Sequence, residues 1–288
     1  MASDTTARSD TFDVGGELTV NRLGLGAMRI TGDDIVGRPD DEDDAKAVLE
    51  RAVELGVDFV DTADSYGPGV SERLIGEALG DRDDVVVASK AGLLRNRDGD
   101  WLPHGDPDFL KNQVLCSLDR LDTDTIDLYQ YHRPDPDSDF EASVHAFAEM
   151  KDAGQIAHVG LSNVTVEQLE TATDIVDIAT VQNRYNVGHR DDEDVLRACE
   201  RTEVGFIPWG PMYTVDEAGV AGALAAVADR NDATARQVAL AWLLDHSDVT
   251  LPIPGTSSVE HLESNVAAAE LSLTDEDAAA LNEIDPQP

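Results

Sequence analysis

The hexapeptide GLGAMR, Gly24 to Arg29, lies in a short apolar run near the start of the chain. It supplies two of the three glycines of a dinucleotide-binding turn, but Arg29 stands where the third is required for close helix–strand packing. An open, doubly wound nucleotide sheet is therefore not announced. No phosphate-binding loop of the G-x-x-x-x-G-K type occurs elsewhere.

Outward from that run, short apolar stretches alternate with amphipathic ones. The strand candidates are LGLGAM (23–28), VDFVDTA (57–63), DVVVASK (84–90), IDLYQYH (126–132), IAHVGLSN (156–163), ATVQNRYN (179–186), GFIPWGP (205–211) and VTLPIPG (249–255). Between them, Ala45, Val48, Leu49, Ala52 and Val53 share one helical face that ends at Gly56, and Asp106 with Pro107 opens a helix carrying Leu110, Val114, Leu118 and Leu121. Eight strands alternating with helices predict parallel pairing and an α/β fold of the (β/α)8 TIM-barrel type. TFDVGGELTV (11–20) predicts a hairpin about Gly15 and Gly16, closing the bottom of the barrel. With no linker, residues 1–288 read as a single domain whose first ten residues are flexible.

The chain carries 59 acidic against 21 basic residues, a formal charge of −38, spread along its length. Such a surface disfavours nucleic acid and anionic membrane and suits a halophilic, salt-screened setting. Cys116 and Cys199 are far apart without metal-ligand spacing, and no window reaches membrane-spanning length, so a soluble cytoplasmic protein is expected. Only four lysines occur, Lys46, Lys90, Lys111 and Lys151, so a lysine in an apolar context needs a reason.

In a barrel of this kind chemistry sits at the C-terminal ends of the strands. Asp61 and Tyr66 end the second strand and its turn, Lys90 the third, His132 the fourth, Ser162 and Asn163 the fifth, and Gln182 lies on the sixth. Singly, Asp61 reads as a turn cap, Tyr66 as packing and His132 as a satisfied core histidine. Lys90 after VVVAS is different, because a buried ammonium is costly unless paired. Asp61 supplies the pairing, and Lys90 in turn is expected to lower the Tyr66 phenol from about 10 toward neutrality, where it acts as a general acid.

These residues resemble the aldo-keto reductase superfamily over nearly the whole chain. The resemblance implies a catalytic tetrad of Asp61, Tyr66, Lys90 and His132, from DTADSYG, VVVASK and YQYH. It implies hydride transfer from a nicotinamide to a carbonyl carbon, with Tyr66 protonating the oxygen, His132 holding it, and Lys90 with Asp61 tuning Tyr66.

The resemblance also implies a cofactor site. Ser162, Asn163 and Gln182 would bond the carboxamide, and Trp209, followed by Gly210, Pro211 and Met212, would stack on the nicotinamide. Gly26 and Met28 would touch the cofactor from the first loop. In IPGTSSVEHLESN the family's phosphate-gripping lysine and arginine are replaced by Gly255 and His261, while Thr256, Ser257 and Ser258 with helix-start amides stand ready for a phosphate and Asn265 matches the adenine contact. The serine-rich segment is similar to that of bacterial pyridoxal reductases and favours NADP(H), with NAD left open.

Two long loops, residues 29–43 and 91–107, bring Arg29, Arg38, Arg95, Arg97, Trp101 and His104 toward the pocket. Arg29, Trp101 and His104 are expected to line the substrate pocket; an anionic or aromatic aldehyde is the sharper reading of the loop arginines, and their pairing with neighbouring aspartates is the preferred one. Pyridoxal, a sugar or a simple aldehyde all fit the family, and a monomer is compatible with it. A nicotinamide-binding sensor without turnover is the competing reading. A metal-dependent hydrolase is disfavoured because only Asp61 and His132 would converge on an ion.

Overall fold

The computed structural model describes residues 11–80, 82–96 and 98–286. The expected flexible stretch 1–10 and Arg97 lie outside the described residues. Strands β1 (Thr11–Val14) and β2 (Leu18–Asn21) form the antiparallel hairpin that the Gly15–Gly16 turn predicts. The barrel strands follow: β3 (Leu25–Gly26), β4 (Phe59–Asp61) and β5 (Val86–Ala91). The loop after β5 holds a small antiparallel hairpin, β6 (Leu93–Arg95) and β7 (Trp101–Pro103), which sequence reading had as plain loop. Then come β8 (Ile126–Tyr131), β9 (Ile156–Ser162), β10 (Ile178–Gln182) and β11 (Gly205–Phe206).

Seven of these strands form one parallel sheet in the order β11-β10-β9-β8-β5-β4-β3. Residues 249–255 close it. Leu251 N donates to Phe206 O at 2.8 Å on one side, while Gly24 N and Gly26 N donate to Pro252 O and Pro254 O at 3.0 and 3.3 Å on the other. Two prolines cannot donate back, so this eighth strand registers only as bridges at Thr250 and Gly255. The result is a closed (β/α)8 barrel.

Helices α1 (Glu42–Glu54), α2 (Val70–Leu79), α3 (Pro107–Leu121), α4 (Phe140–Asp152), α5 (Val166–Thr173) and α6 (Glu193–Thr202) alternate with the strands. They are followed by α7 (Ala221–Asn231), α8 (Ala235–His246), α9 (Val259–Val266) and α10 (Asp275–Asn282). Side-chain caps set several starts: Asp106 accepts from Phe109 N at 2.9 Å, as Asp-Pro predicts, and Thr165 and Thr234 form capping boxes with Gln168 and Gln237. Among the described residues no helix is long and apolar enough to cross a membrane.

The core has two parts. Outward-facing Val60, Tyr129, Val159 and Val181 pack with helical Val48, Leu49, Leu110 and Val114, each burial contributing about 1.5–3 kcal/mol for the larger side chains. Inside the barrel, Phe59, Ala88, Leu128, Ile207, Leu251 and Ile253 pack on Val14 and Val20 of the hairpin, which plugs the bottom. The strand period of two then fixes what stands above this apolar layer: Asp61 follows Phe59, Lys90 follows Ala88, and Gln130 and His132 follow Leu128.

Candidate active site

Above the apolar layer, Lys90 Nζ lies 2.6 Å from Asp61 Oδ1, 2.8 Å from Thr62 O and 3.4 Å from Tyr66 Oη. An ammonium has three protons, and all three are accounted for. The other Asp61 oxygen accepts from Gln130 Nε2 at 3.1 Å and Gln182 Nε2 at 2.9 Å. The carboxylate is thus held from two strands, β8 and β10, as well as by the lysine on β5. Its burial is tolerable because both oxygens are satisfied.

Tyr66 rides on the loop between β4 and α2. Thr62 Oγ1 donates to Ser71 Oγ at 2.7 Å, and Ser71 Oγ donates to Ala27 O at 3.0 Å, tying both ends of the loop to the first strand's turn. Gly69 in this loop has φ +76°, and an added Cβ would stand 2.7 Å from the Arg120 guanidinium. Arg120 pairs with fully buried Glu72 at 2.9 Å, and Ser89 donates to the second Glu72 oxygen at 2.6 Å. The side chain next to Lys90 therefore anchors the helix that follows Tyr66.

Electrostatically the tetrad departs from the sequence expectation at one point. Burial raises the Tyr66 pKa above its ordinary value, and the lowering by Lys90 does not overcome it, the Asp61 charge adding to the rise. Tyr66 is a firmly protonated phenol, not one tuned toward neutrality. For Lys90 burial pulls downward, but Asp61 and Tyr66 outweigh it and the ammonium persists. His132 is driven well below its ordinary 6.5 by burial, with Lys90 and Arg133 adding to the effect, so the ring is neutral. Its Nδ1 lies 3.5 Å from Ser65 Oγ.

Tyr66 meets His132 edge-on with centroids 5.9 Å apart and Trp101 at 6.3 Å. The Arg95 guanidinium lies 3.8 Å over the Trp101 ring and donates to Asp34 O at 2.7 Å, pinning the β6–β7 hairpin to the first loop. These three rings wall one end of a cavity of about 540 Å3 whose lining includes Asp61, Tyr66, Trp101, His132, Ser162, Asn163, Gln182 and Trp209.

The cavity is also lined by Gly26, Met28, Arg29, Gly210, Pro211, Met212 and Gly255. Trp209 Nε1 donates to Asn163 Oδ1 at 3.0 Å, and Asn163 Nδ2 donates to His132 O at 3.0 Å. One amide thereby fixes both the indole and the catalytic strand end. At Gly26 an added Cβ would fall 2.7 Å from Ile253 O, so the backbone is brought close there only because no side chain intervenes. A second cavity of about 180 Å3 shares Met212, Arg236 and Gly255 with the first and is also lined by Thr256, His261, Ser264 and Asn265. A flat ring beside the tetrad, a polar amide set and a second lobe at the last strand fit a dinucleotide laid along the barrel mouth.

Not every expected residue joins the site. His104 does not line the cavity; it stacks edge-on against Phe109 at 4.6 Å, with its amide donating to Gly92 O. Ser257 lines a separate cavity beside the first loop, and Ser258 Oγ caps His261 N, so neither opens on the second lobe. Gln182 lines the cavity, but its amide nitrogen is committed to Asp61. Arg38 pairs with Glu42, a glutamate where the ion-pair alternative has aspartates. Gln130, Arg133 and Arg236 were missed; Gln130 and His132 share one strand face, which was a readable signal. Among the described residues no group of three or more His, Cys, Asp or Glu side chains is placed to hold a metal ion.

Residues 22–286 match the profile of the Aldo/keto reductase family. The chain is 45% identical over 268 residues to an uncharacterized oxidoreductase of Schizosaccharomyces pombe, covering 93% of this chain and 88% of that protein. It is 40% identical over 286 residues to pyridoxine 4-dehydrogenase of Escherichia coli, covering 96% and 98%. Among solved structures, an aldo-keto reductase from Klebsiella pneumoniae in complex with NADPH superposes with a TM-score of 0.83 at 27% identity, covering 97% of this chain and 96% of that one.

Proposed function

The chain belongs to the aldo/keto reductase family, and from that premise we propose that Tyr66 is the general acid of a carbonyl reduction that prefers NADP(H) and accepts pyridoxal-type aldehydes. The protein is a nicotinamide-dependent oxidoreductase acting on a small carbonyl compound. The observation that carries the assignment of roles is the Asp61–Lys90–Tyr66 chain of contacts opening on the cavity beside neutral His132.

A bound nicotinamide supplies the hydride, and the protein supplies position, charge and protons. Trp209 would offer the nicotinamide a flat face, and Ser162 and Asn163, which line the same cavity, would help to hold it. A carbonyl oxygen between Tyr66 Oη and the His132 ring accepts a hydrogen bond from each. As negative charge grows on that oxygen, Tyr66 gives up its proton, and the adjacent Lys90 ammonium steadies the phenolate. Asp61 keeps that ammonium charged without taking part in proton transfer. His132 stays neutral and donates, so it orients the carbonyl without competing as an acid.

The NADP preference is supported by the NADPH complex of the Klebsiella relative and by the second lobe beside Gly255. The substrate class is supported by the name of the Escherichia coli relative and by a cavity end walled by Trp101, Tyr66 and Leu93. The test is NADPH and NADH consumption with pyridoxal, an unsubstituted aromatic aldehyde and an aldose. Faster turnover of pyridoxal with NADPH supports the reading; no turnover of any carbonyl with either nucleotide overturns it.

A further inference from the structure

We propose that Arg236 is the residue by which this chain recognises the 2′-phosphate of NADP(H), a phosphomonoester dianion, and thereby discriminates against NAD(H). The inference rests on the nicotinamide reading above. Arg236 is the second residue of α8, and it lines both the catalytic cavity and the smaller lobe. Among the described residues lining that lobe it is the one permanent cation.

The segment expected to hold a phosphate is otherwise engaged. Thr256 Oγ1 accepts from Ser258 N at 3.0 Å, Ser258 Oγ accepts from His261 N at 3.4 Å, and Ser257 faces another cavity. These hydroxyls build the start of α9. Gly255 brings no charge to the lobe. A dianion there needs a guanidinium from elsewhere, and α8 brings one.

The helix is fixed where this requires it. Thr234 and Gln237 close a capping box at its start, and Gln237 Nε2 donates to Ser264 O at 3.0 Å, so α8 is fastened to α9 across the lobe. Arg236 itself is loosely held. Its Nη2 lies 3.4 Å from Asp216 Oδ2, and the two side chains are 56% and 86% exposed. An exposed pair of this kind contributes little, whereas a guanidinium binds a phosphate in two parallel charge-assisted bonds. Asp216 is thus a competitor that a phosphate displaces.

The experiment is equilibrium binding of NADPH and NADH to the full chain, followed by quenching of tryptophan fluorescence. For Arg236→Ala the NADPH Kd is expected to rise about ten-fold or more, the loss of a charged hydrogen-bonded pair, with the NADH Kd within about two-fold of wild type. Arg236→Lys is expected to recover part of the loss, and Asp216→Asn to tighten NADPH alone. Equal weakening of both nucleotides by Arg236→Ala, or unchanged NADPH binding, overturns the inference while leaving the nicotinamide reading intact. A wild-type chain that binds neither nucleotide overturns that reading itself, and this inference with it.

Discussion

The Lys90 ammonium stands 2.6 Å from Asp61 Oδ1 across adjacent barrel strands, and both side chains are closed off from solvent. Around this pair the upper layer of the barrel is polar and the lower layer apolar. Removing one partner leaves a buried charge supported only by amides. Lys90→Met is therefore expected to lose about 3–5 kcal/mol of stability in urea unfolding, and the double variant Lys90→Met/Asp61→Asn to regain part of it. A single variant as stable as wild type would show that the pair does not carry the charge balance described.

The pH dependence has a defined sign on each side. His132 is held below its ordinary 6.5, so the unfolded chain takes up a proton that the folded one refuses, and stability falls as pH drops below about 6.5. His158 and His246, also lowered by burial, act in the same direction. The contribution of His132 is therefore read as the difference between wild type and His132→Asn. In alkali Tyr66 and Lys90, both raised, keep protons that the unfolded chain releases, so stability is lost as pH rises beyond the ordinary 10.0 and 10.5 toward their folded values. Carbonyl reduction should stay level through neutral pH, because Tyr66 keeps its proton. A loss of activity as pH rises through 7 that tracks Tyr66 would contradict this.

Much of this was legible before the fold was known, and the omissions have physical causes. Asp61, Lys90 and His132 stood out as polar residues ending apolar strands, whereas Gln130, readable as sharing the inward face of His132, was passed over because a strand glutamine does not by itself suggest chemistry. The eighth strand was recognised from VTLPIPG even though Pro252 and Pro254 deny it a regular ladder. The β6–β7 hairpin was read as loop because its short strands flank a polar turn and lie outside the barrel. The Tyr66 shift was read as downward, since the charge of Lys90 is visible in the sequence and the burial that outweighs it is not. Arg236, an arginine in the first turn of a helix that is otherwise buried all round over 238–244, looks like solvated surface until α8 and α9 are seen around one lobe.

Two neighbouring aromatic positions separate pocket wall from scaffold. Trp101 lines the cavity beside Tyr66, while His104 packs on Phe109 away from it. Trp101→Ala is expected to raise KM for an aromatic aldehyde by about ten-fold, equivalent to roughly 1.4 kcal/mol of lost contact. His104→Ala should leave kcat and KM within about two-fold, as a change remote from the reacting groups does. Reversal of the two effects would misplace the substrate end of the cavity.

A formal charge of −38 sets a further expectation. Self-repulsion across an acidic surface is screened over a Debye length of about 10 Å at 0.1 M salt and about 3 Å at 1 M. The melting temperature is expected to climb with potassium chloride toward molar concentration and to rise less in sucrose of equal osmolality. A melting temperature independent of salt would remove electrostatic repulsion as a factor in stability.

In the proposed reduction Tyr66, held beside Lys90 at 3.4 Å, delivers the proton. Its most direct test is Tyr66→Phe, measured as single-turnover reduction alongside NADPH binding. The chemical step is expected to fall about 10²–10⁴-fold, the contribution of a positioned general acid, with NADPH binding unchanged. Reduction at the wild-type rate in Tyr66→Phe would contradict it.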